Sequence, residues 1–123
     1  MYRLYERVRA IAKRENAYFI TLTYSDNYIQ QASNRKAKEW CKKYCSHYLG
    51  NDDYGKKSGR YHHHVFGNLK ELINLRKSWR YGAINIEKFR SYSNEKAIAK
   101  YIARIAEHSV KENTENMFRS KEI

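Results

Sequence analysis

Proline is absent from this chain of 123 residues, cysteine occurs twice, and acidic side chains number 13 against 25 basic ones. The missing proline excludes little by itself. Two cysteines are too few for a disulfide framework, and Cys41 and Cys45, four apart in a helical pattern, are expected to stay buried thiols. A zinc site from Cys41, Cys45 and His47 would lack a fourth ligand nearby. No stretch approaches the apolar length of a membrane span. The segment Met1-Tyr2-Arg3-Leu4-Tyr5-Glu6-Arg7 is charged throughout and lacks the core of a secretory signal, so a soluble, cytoplasmic protein with no membrane partner is expected. Internal repeats, low-complexity tracts and linkers are also missing, and the length suits one domain with one modest core.

The shortage of acids leaves a formal net charge of +12, which implies a polyanionic partner. Twelve tyrosines lie among these charges. Cations for phosphates and rings for bases together suit single-stranded nucleic acid.

Chemistry concentrates in Arg60-Tyr61-His62-His63-His64-Val65-Phe66-Gly67. Val65 and Phe66 favour a strand, and Gly55-Lys56-Lys57-Ser58-Gly59 before them reads as a hairpin tip. The two-residue period of a strand puts His62 and His64 on one face, with Cα atoms about 6.6 Å apart, where two imidazoles can share a metal ion. A polar sheet face would have the same pattern. Residues 46 to 53 precede the turn and are placed to pair with this strand, in a register that decides any third ligand.

Elsewhere, Leu4, Val8, Ile11 and Ala12 mark an amphipathic helix over about residues 2 to 14, with Glu15-Asn16 as its stop. Tyr18 to Tyr24 reads as a buried central strand, and Ser33-Asn34 opens a helix to about His47 carrying Ala37, Trp40, Cys41, Tyr44 and Cys45 on one side. The spacing of Leu69, Leu72, Ile73 and Leu75 predicts a third helix over Asn68 to Trp79, capped by Asn68. Tyr81 to Glu87 alternates as a strand should. A last helix, with Lys96 to Val110 as its body, buries Ile98, Ile102, Ile105 and Ala106 and leaves Tyr101 at the edge of that stripe. Beyond Lys111 a charged tail or helix extension is expected. Strands split by helices in so short a chain suit an α+β fold, one antiparallel sheet with helices against it.

Three segments, Phe19-Ile20-Thr21-Leu22-Thr23-Tyr24, Asp53 to His64, and Lys100-Tyr101-Ile102-Ala103-Arg104, resemble in order and spacing the three motifs of HUH endonucleases, above all rolling-circle replication initiators of small viruses and plasmids. The resemblance implies a ferredoxin-like or RRM-like sheet and an endonuclease domain over residues 1–112, followed by the tail at 113–123. It implies His62 and His64 as metal ligands for Mn2+ or Mg2+, and a third ligand for which Asp53 leads, with Asp52 and His47 as alternatives. It makes Tyr101 the nucleophile, with Lys100 and Arg104 beside it as catalytic candidates and Tyr92 in reserve. The expected reaction is cleavage of single-stranded DNA at a replication origin or terminus, leaving a 5′-phosphotyrosine and a free 3′-hydroxyl, with helicase and polymerase supplied separately. One tyrosine allows one covalent link at a time, so a homodimer is expected. A transposase or relaxase would share this chemistry. The family's pattern has a bulky apolar residue between the two ligands, where this chain has His63. From another class, a non-enzymatic RRM-like domain would use exposed aromatics such as Tyr18 or Tyr24 on its central strands.

Overall fold

The computed structural model describes residues 2–54, 59–89 and 117–121. Its elements follow in the order α1 (Tyr2–Ala12), β1 (Ala17–Leu22), a short 3-10 turn (Ile29–Gln31), α2 (Asn34–Tyr44), β2 (Cys45–Asp53), β3 (His62–Leu69), α3 (Leu75–Ser78), β4 (Ile84–Lys88) and β5 (Met117–Arg119). The five strands form one sheet in the order β4-β1-β3-β2-β5, and every pairing is antiparallel. Without β5, this is the split β-α-β arrangement of ferredoxin-like sheets, in which β1 and β3 are central.

Strand alternation sorts the side chains onto two faces. On one face α1 lays Val8 and Ile11, both fully buried, over Phe19, Leu49, Phe66 and Phe89. On the other, α2 packs Ala37, Trp40 and Cys41 against Ile20, Leu22, Tyr48 and Val65. Burial of these apolar side chains contributes on the order of 1.5–3 kcal/mol apiece. Helix α1 stops where the sequence predicts, because Asn16 takes a left-handed backbone (φ 59°) and turns the chain into β1. Helix α2 ends three residues earlier than expected, and Cys45 passes directly into β2. There the chain gains a ladder with β3 from Leu69 back to His62, across a bulge between Cys45 and His47.

The third predicted helix is corrected. Asn68 and Leu69 belong to β3, and only Leu75–Ser78 turns helically. The periodic apolar set had no matching core, since Leu69 and Leu75 are buried while Leu72 and Ile73 are 50% and 76% exposed. Asn68 caps a different helix: its amide donates to the carbonyls of Ile11 at 2.9 Å and Glu15 at 3.2 Å, at the end of α1. The charged tail also contains structure, because Met117–Arg119 pairs with β2. Gly50 makes room for it: a Cβ there would collide with the Phe118 ring.

Candidate metal centre

Three side chains meet at the hairpin end of β2 and β3, on the face that carries α1. Asp53 stands opposite His62, and His64 lies one pleat inward between Thr21 on β1 and Asn51 on β2. His62 Nε2 is 3.1 Å from His64 Nε2, and Asp53 Oδ2 is 3.2 Å from the first and 3.1 Å from the second. Among the described residues this is the one group of histidine, cysteine and acidic side chains close enough to share an ion.

The hydrogen bonds behind these atoms set their chemistry. His62 Nδ1 lies 2.9 Å from the Arg60 carbonyl, which can only accept, so Nδ1 carries the hydrogen and Nε2 of the neutral ring presents a lone pair. Arg60 is itself anchored, donating from its guanidinium to the Tyr24 carbonyl at 2.7 Å and to Asp26 at 3.0 Å. Thr21 Oγ1 sits 3.5 Å from Nδ1 of His64, the ring nitrogen turned away from the cluster, while Phe19 covers one side at 5.9 Å between ring centroids. Nε2 of each imidazole and a carboxylate oxygen thus face one point. For bonds of about 2.1 Å, adjacent ligands on one ion are about 3.0 Å apart in octahedral and 3.4 Å in tetrahedral geometry, so the spacing here fits a shared divalent cation. The residues can hold a metal ion, to which those described would supply three ligands. Beside His64, the Asn51 side chain is 1% exposed and finds no hydrogen-bond partner for its amide among the described residues.

Asp52 and His63 point the other way, into the α2 side of the sheet. His63 is fully buried and donates from Nδ1 to Asp52 at 2.7 Å. Its Nε2 then accepts the hydroxyl hydrogen of Tyr24 at 2.6 Å. Asn34, at the start of α2, donates to the other Asp52 oxygen at 3.0 Å. Burial first, and then the Asp52 carboxylate, push the pKa of the Tyr61 phenol up. Burial likewise raises the Tyr24 phenol to about 12. The network ties the chain just after β1 to β2, β3 and α2, directly behind His62 and His64.

Of the three candidates for third ligand, then, Asp53 is the one beside the histidine pair. Asp52 is spent on the back-face network, and His47, paired across from Asn68 at the far end of β2, bonds Ser46 at 3.0 Å. The zinc alternative finds no support, because Cys41 and Cys45 are buried free thiols; burial, and then its neighbour Cys45, push the Cys41 thiol well up. Sequence reasoning missed the Tyr24–His63 and Asn34–Asp52 contacts. The polar residue in the middle of an apolar strand was their one visible signal. Tyr101, Lys100, Arg104 and Tyr92 lie outside the described residues. No helix among the described residues is long and apolar enough to cross a membrane. Compared with known proteins, the chain matches no family model, no curated protein and no solved structure.

Proposed function

We propose that this chain is an HUH-type endonuclease that nicks and rejoins single-stranded DNA at a replication origin or terminus, in the cytoplasm of a cell hosting a virus or plasmid. The convergence of Asp53, His62 and His64 on one point is the observation that carries this reading. It gives a physical form to two of the three sequence motifs, since β1 and the β2–β3 hairpin meet where the ligands stand. Asp53, His62 and His64 hold Mn2+ or Mg2+; the carboxylate makes these harder ions a better match than two imidazoles alone would. When bound, the ion supplies Lewis acidity to a phosphate oxygen.

The protein's own groups do the rest. The Arg60 carbonyl keeps His62 in the ligating tautomer, and Thr21 Oγ1 lies beside the far ring nitrogen of His64. Tyr101, chosen from sequence, attacks phosphorus: a bond forms from its phenolic oxygen to phosphorus, the bond from phosphorus to the 3′-oxygen breaks, and the leaving 3′-oxygen takes up a proton. A phenol with an ordinary pKa near 10 needs a neighbouring cation to react at neutral pH, the role given to Lys100 and Arg104. One diester replaces another, so the same site rejoins ends.

The rival is a non-enzymatic RRM-like binding domain. The strand order suits it, but its stacking residues are poorly placed: Tyr24 is 3% exposed with its hydroxyl on His63, and Tyr18 packs against the α2-side core. The test is a denaturing gel of labelled single-stranded DNA incubated with the protein and Mn2+. A covalent adduct is expected from the natural sequence and none from Tyr101→Phe or Asp53→Ala. Persistence in Tyr101→Phe would move the nucleophile elsewhere, and failure with every DNA sequence tried would favour the binding domain.

A further inference from the structure

The opposite side of the molecule carries a feature that the cleavage reaction does not use. Between α2 and the chain around α3 runs a groove of about 200 Å³, lined by Lys36, Lys43 and Tyr44 on one side and Ser78, Arg80 and Tyr81 on the other. Three cations surround it. Glu39 is the one acid among the lining residues, and it faces the Arg35 guanidinium at 3.4 Å. Like charges gathered round one depression repel unless an anion lies between them.

The cations are also held beside rings. Lys36 Nζ lies 5.3 Å and Arg80 Cζ 4.9 Å from the centroid of Tyr81, and Lys43 Nζ lies 5.4 Å from that of Tyr44. These separations are within cation–π range. The walls are fixed beneath them: Trp40 and Trp79 are 4% and 2% exposed, and the Trp40 indole donates to Ser78 Oγ at 2.9 Å, joining α2 to α3. The groove is therefore formed before anything binds, with little ordering left to be done on binding.

We infer that this groove is a second binding site, one that takes unpaired nucleotides of single-stranded DNA, with phosphodiesters on Lys36, Lys43 and Arg80 and a base against Tyr44 or Tyr81. Cations interleaved with rings bind this partner in preference to an acidic peptide, which has charge but nothing to stack. The groove lies on the α2 side of the sheet and the histidine pair on the α1 side, so the DNA held here flanks the segment at the metal centre. A line of rings connects the two regions: Tyr81 is 6.3 Å from Tyr24, Tyr24 is 6.2 Å from Tyr61, and Tyr61 is 5.0 Å from Tyr54, which is 48% exposed and directly follows Asp53. Binding in the groove shares the partner proposed above but not its chemistry, so it is tested without metal.

The test measures the anisotropy of a labelled oligothymidylate over a KCl series in EDTA. It compares the natural sequence with Lys43→Ala/Arg80→Ala and with Lys13→Ala/Arg14→Ala, an equal charge change on an exposed stretch at the end of α1. The groove variant is expected to lower the slope of log K against log salt by about 1.4, at roughly 0.7 for each phosphate no longer neutralised, while the control keeps the natural slope. A third variant, Tyr44→Leu, should weaken binding by about fivefold or more with its slope unchanged, as expected when a base has no ring to stack on. Equal slopes for the groove variant and the natural protein, or equal losses in groove and control variants, would overturn the inference. So would competition by a polyglutamate peptide as effective as that by oligothymidylate. A chain that binds as expected yet forms no covalent adduct with Mn2+ would leave the groove standing and remove only the cleavage reading.

Discussion

Replacing His63 by phenylalanine, which puts an apolar residue between His62 and His64, measures what the back-face network contributes. The ring is fully buried, and it gives Asp52 its shortest hydrogen bond, at 2.7 Å, and Tyr24 its shortest, at 2.6 Å. Stripping a partner from a buried polar group costs about 1–3 kcal/mol, more when the group is charged. Tyr24 falls at the low end of that range, because its hydroxyl can turn to the Ser33 carbonyl at 3.2 Å. Asp52 falls at the high end despite keeping Asn34, since its side chain is only 5% exposed. The expected loss is about 3–4 kcal/mol, a large share of the 5–15 kcal/mol typical of a domain. Asp52→Asn alone should cost about 2–3 kcal/mol by the same reasoning. In the double variant neither group is left waiting for the other, so the two losses should fall short of adding by about 1.5–2 kcal/mol. Equilibrium urea unfolding at neutral pH reads this directly, using the fluorescence of Trp79, whose ring lies 6.2 Å from His63. Additivity within about 0.5 kcal/mol would refute the coupling and make His63 a spacer.

The metal centre predicts opposite effects with and without ion: Asp53→Asn should leave stability in EDTA unchanged or raised, by relieving the convergence of acceptors, yet abolish stabilisation by Mn2+, which is about 2.7 kcal/mol at a hundredfold excess over Kd. Urea titrations with and without the ion check both. Alkaline conditions should destabilise the fold: with Tyr24 raised to about 12, the unfolded chain, titrating near 10, loses a proton that the folded chain keeps. Stability from this phenol is therefore intact below pH 10 and is lost as pH rises towards 12, and Tyr24→Phe should flatten that fall in an unfolding series. Gly50→Ala should dislodge β5 and cost about 1–3 kcal/mol through overpacking against Phe118, and adding Phe118→Ala should recover part of it in thermal melts.

The sequence exposed the parts of the site that depend on local periodicity. Alternation alone put His62 and His64 together and His63 behind them, and β-branched and aromatic residues marked β1. What needed register was not readable: Asp52 and Asp53 are neighbours on opposite faces, and only the pairing of Asp53 with His62 decides between them. Asn68 failed for a related reason, since a residue that caps helices does so from a strand as readily as from the helix itself, and its partners are more than fifty positions away. The apolar spacing of Leu69 to Leu75 was real but split, its two ends buried and its middle exposed. Strand β5 was hidden because three residues in a charged stretch carry no period, and Phe118 finds its place only through the absence of a side chain at Gly50.

Within the histidine run alone, a slip of one position would still leave an imidazole at two of the three stations, so what rejects the slip is the set of partners each ring meets and the fit of Val65, Phe66 and Gly67 beyond it. Such a slip would bring His63 round among the ligands and bury either neighbour where Asp52 and Tyr24 wait. The histidine facing away from the centre acts as an index pin, since a single geometry gives it both an acid and a phenol. A chain one notch off would turn Val65 and Phe66 to the wrong faces and press a side chain into the space of Gly67, so the register of the strand and the meeting of Asp53 with His62 and His64 stand or fall together.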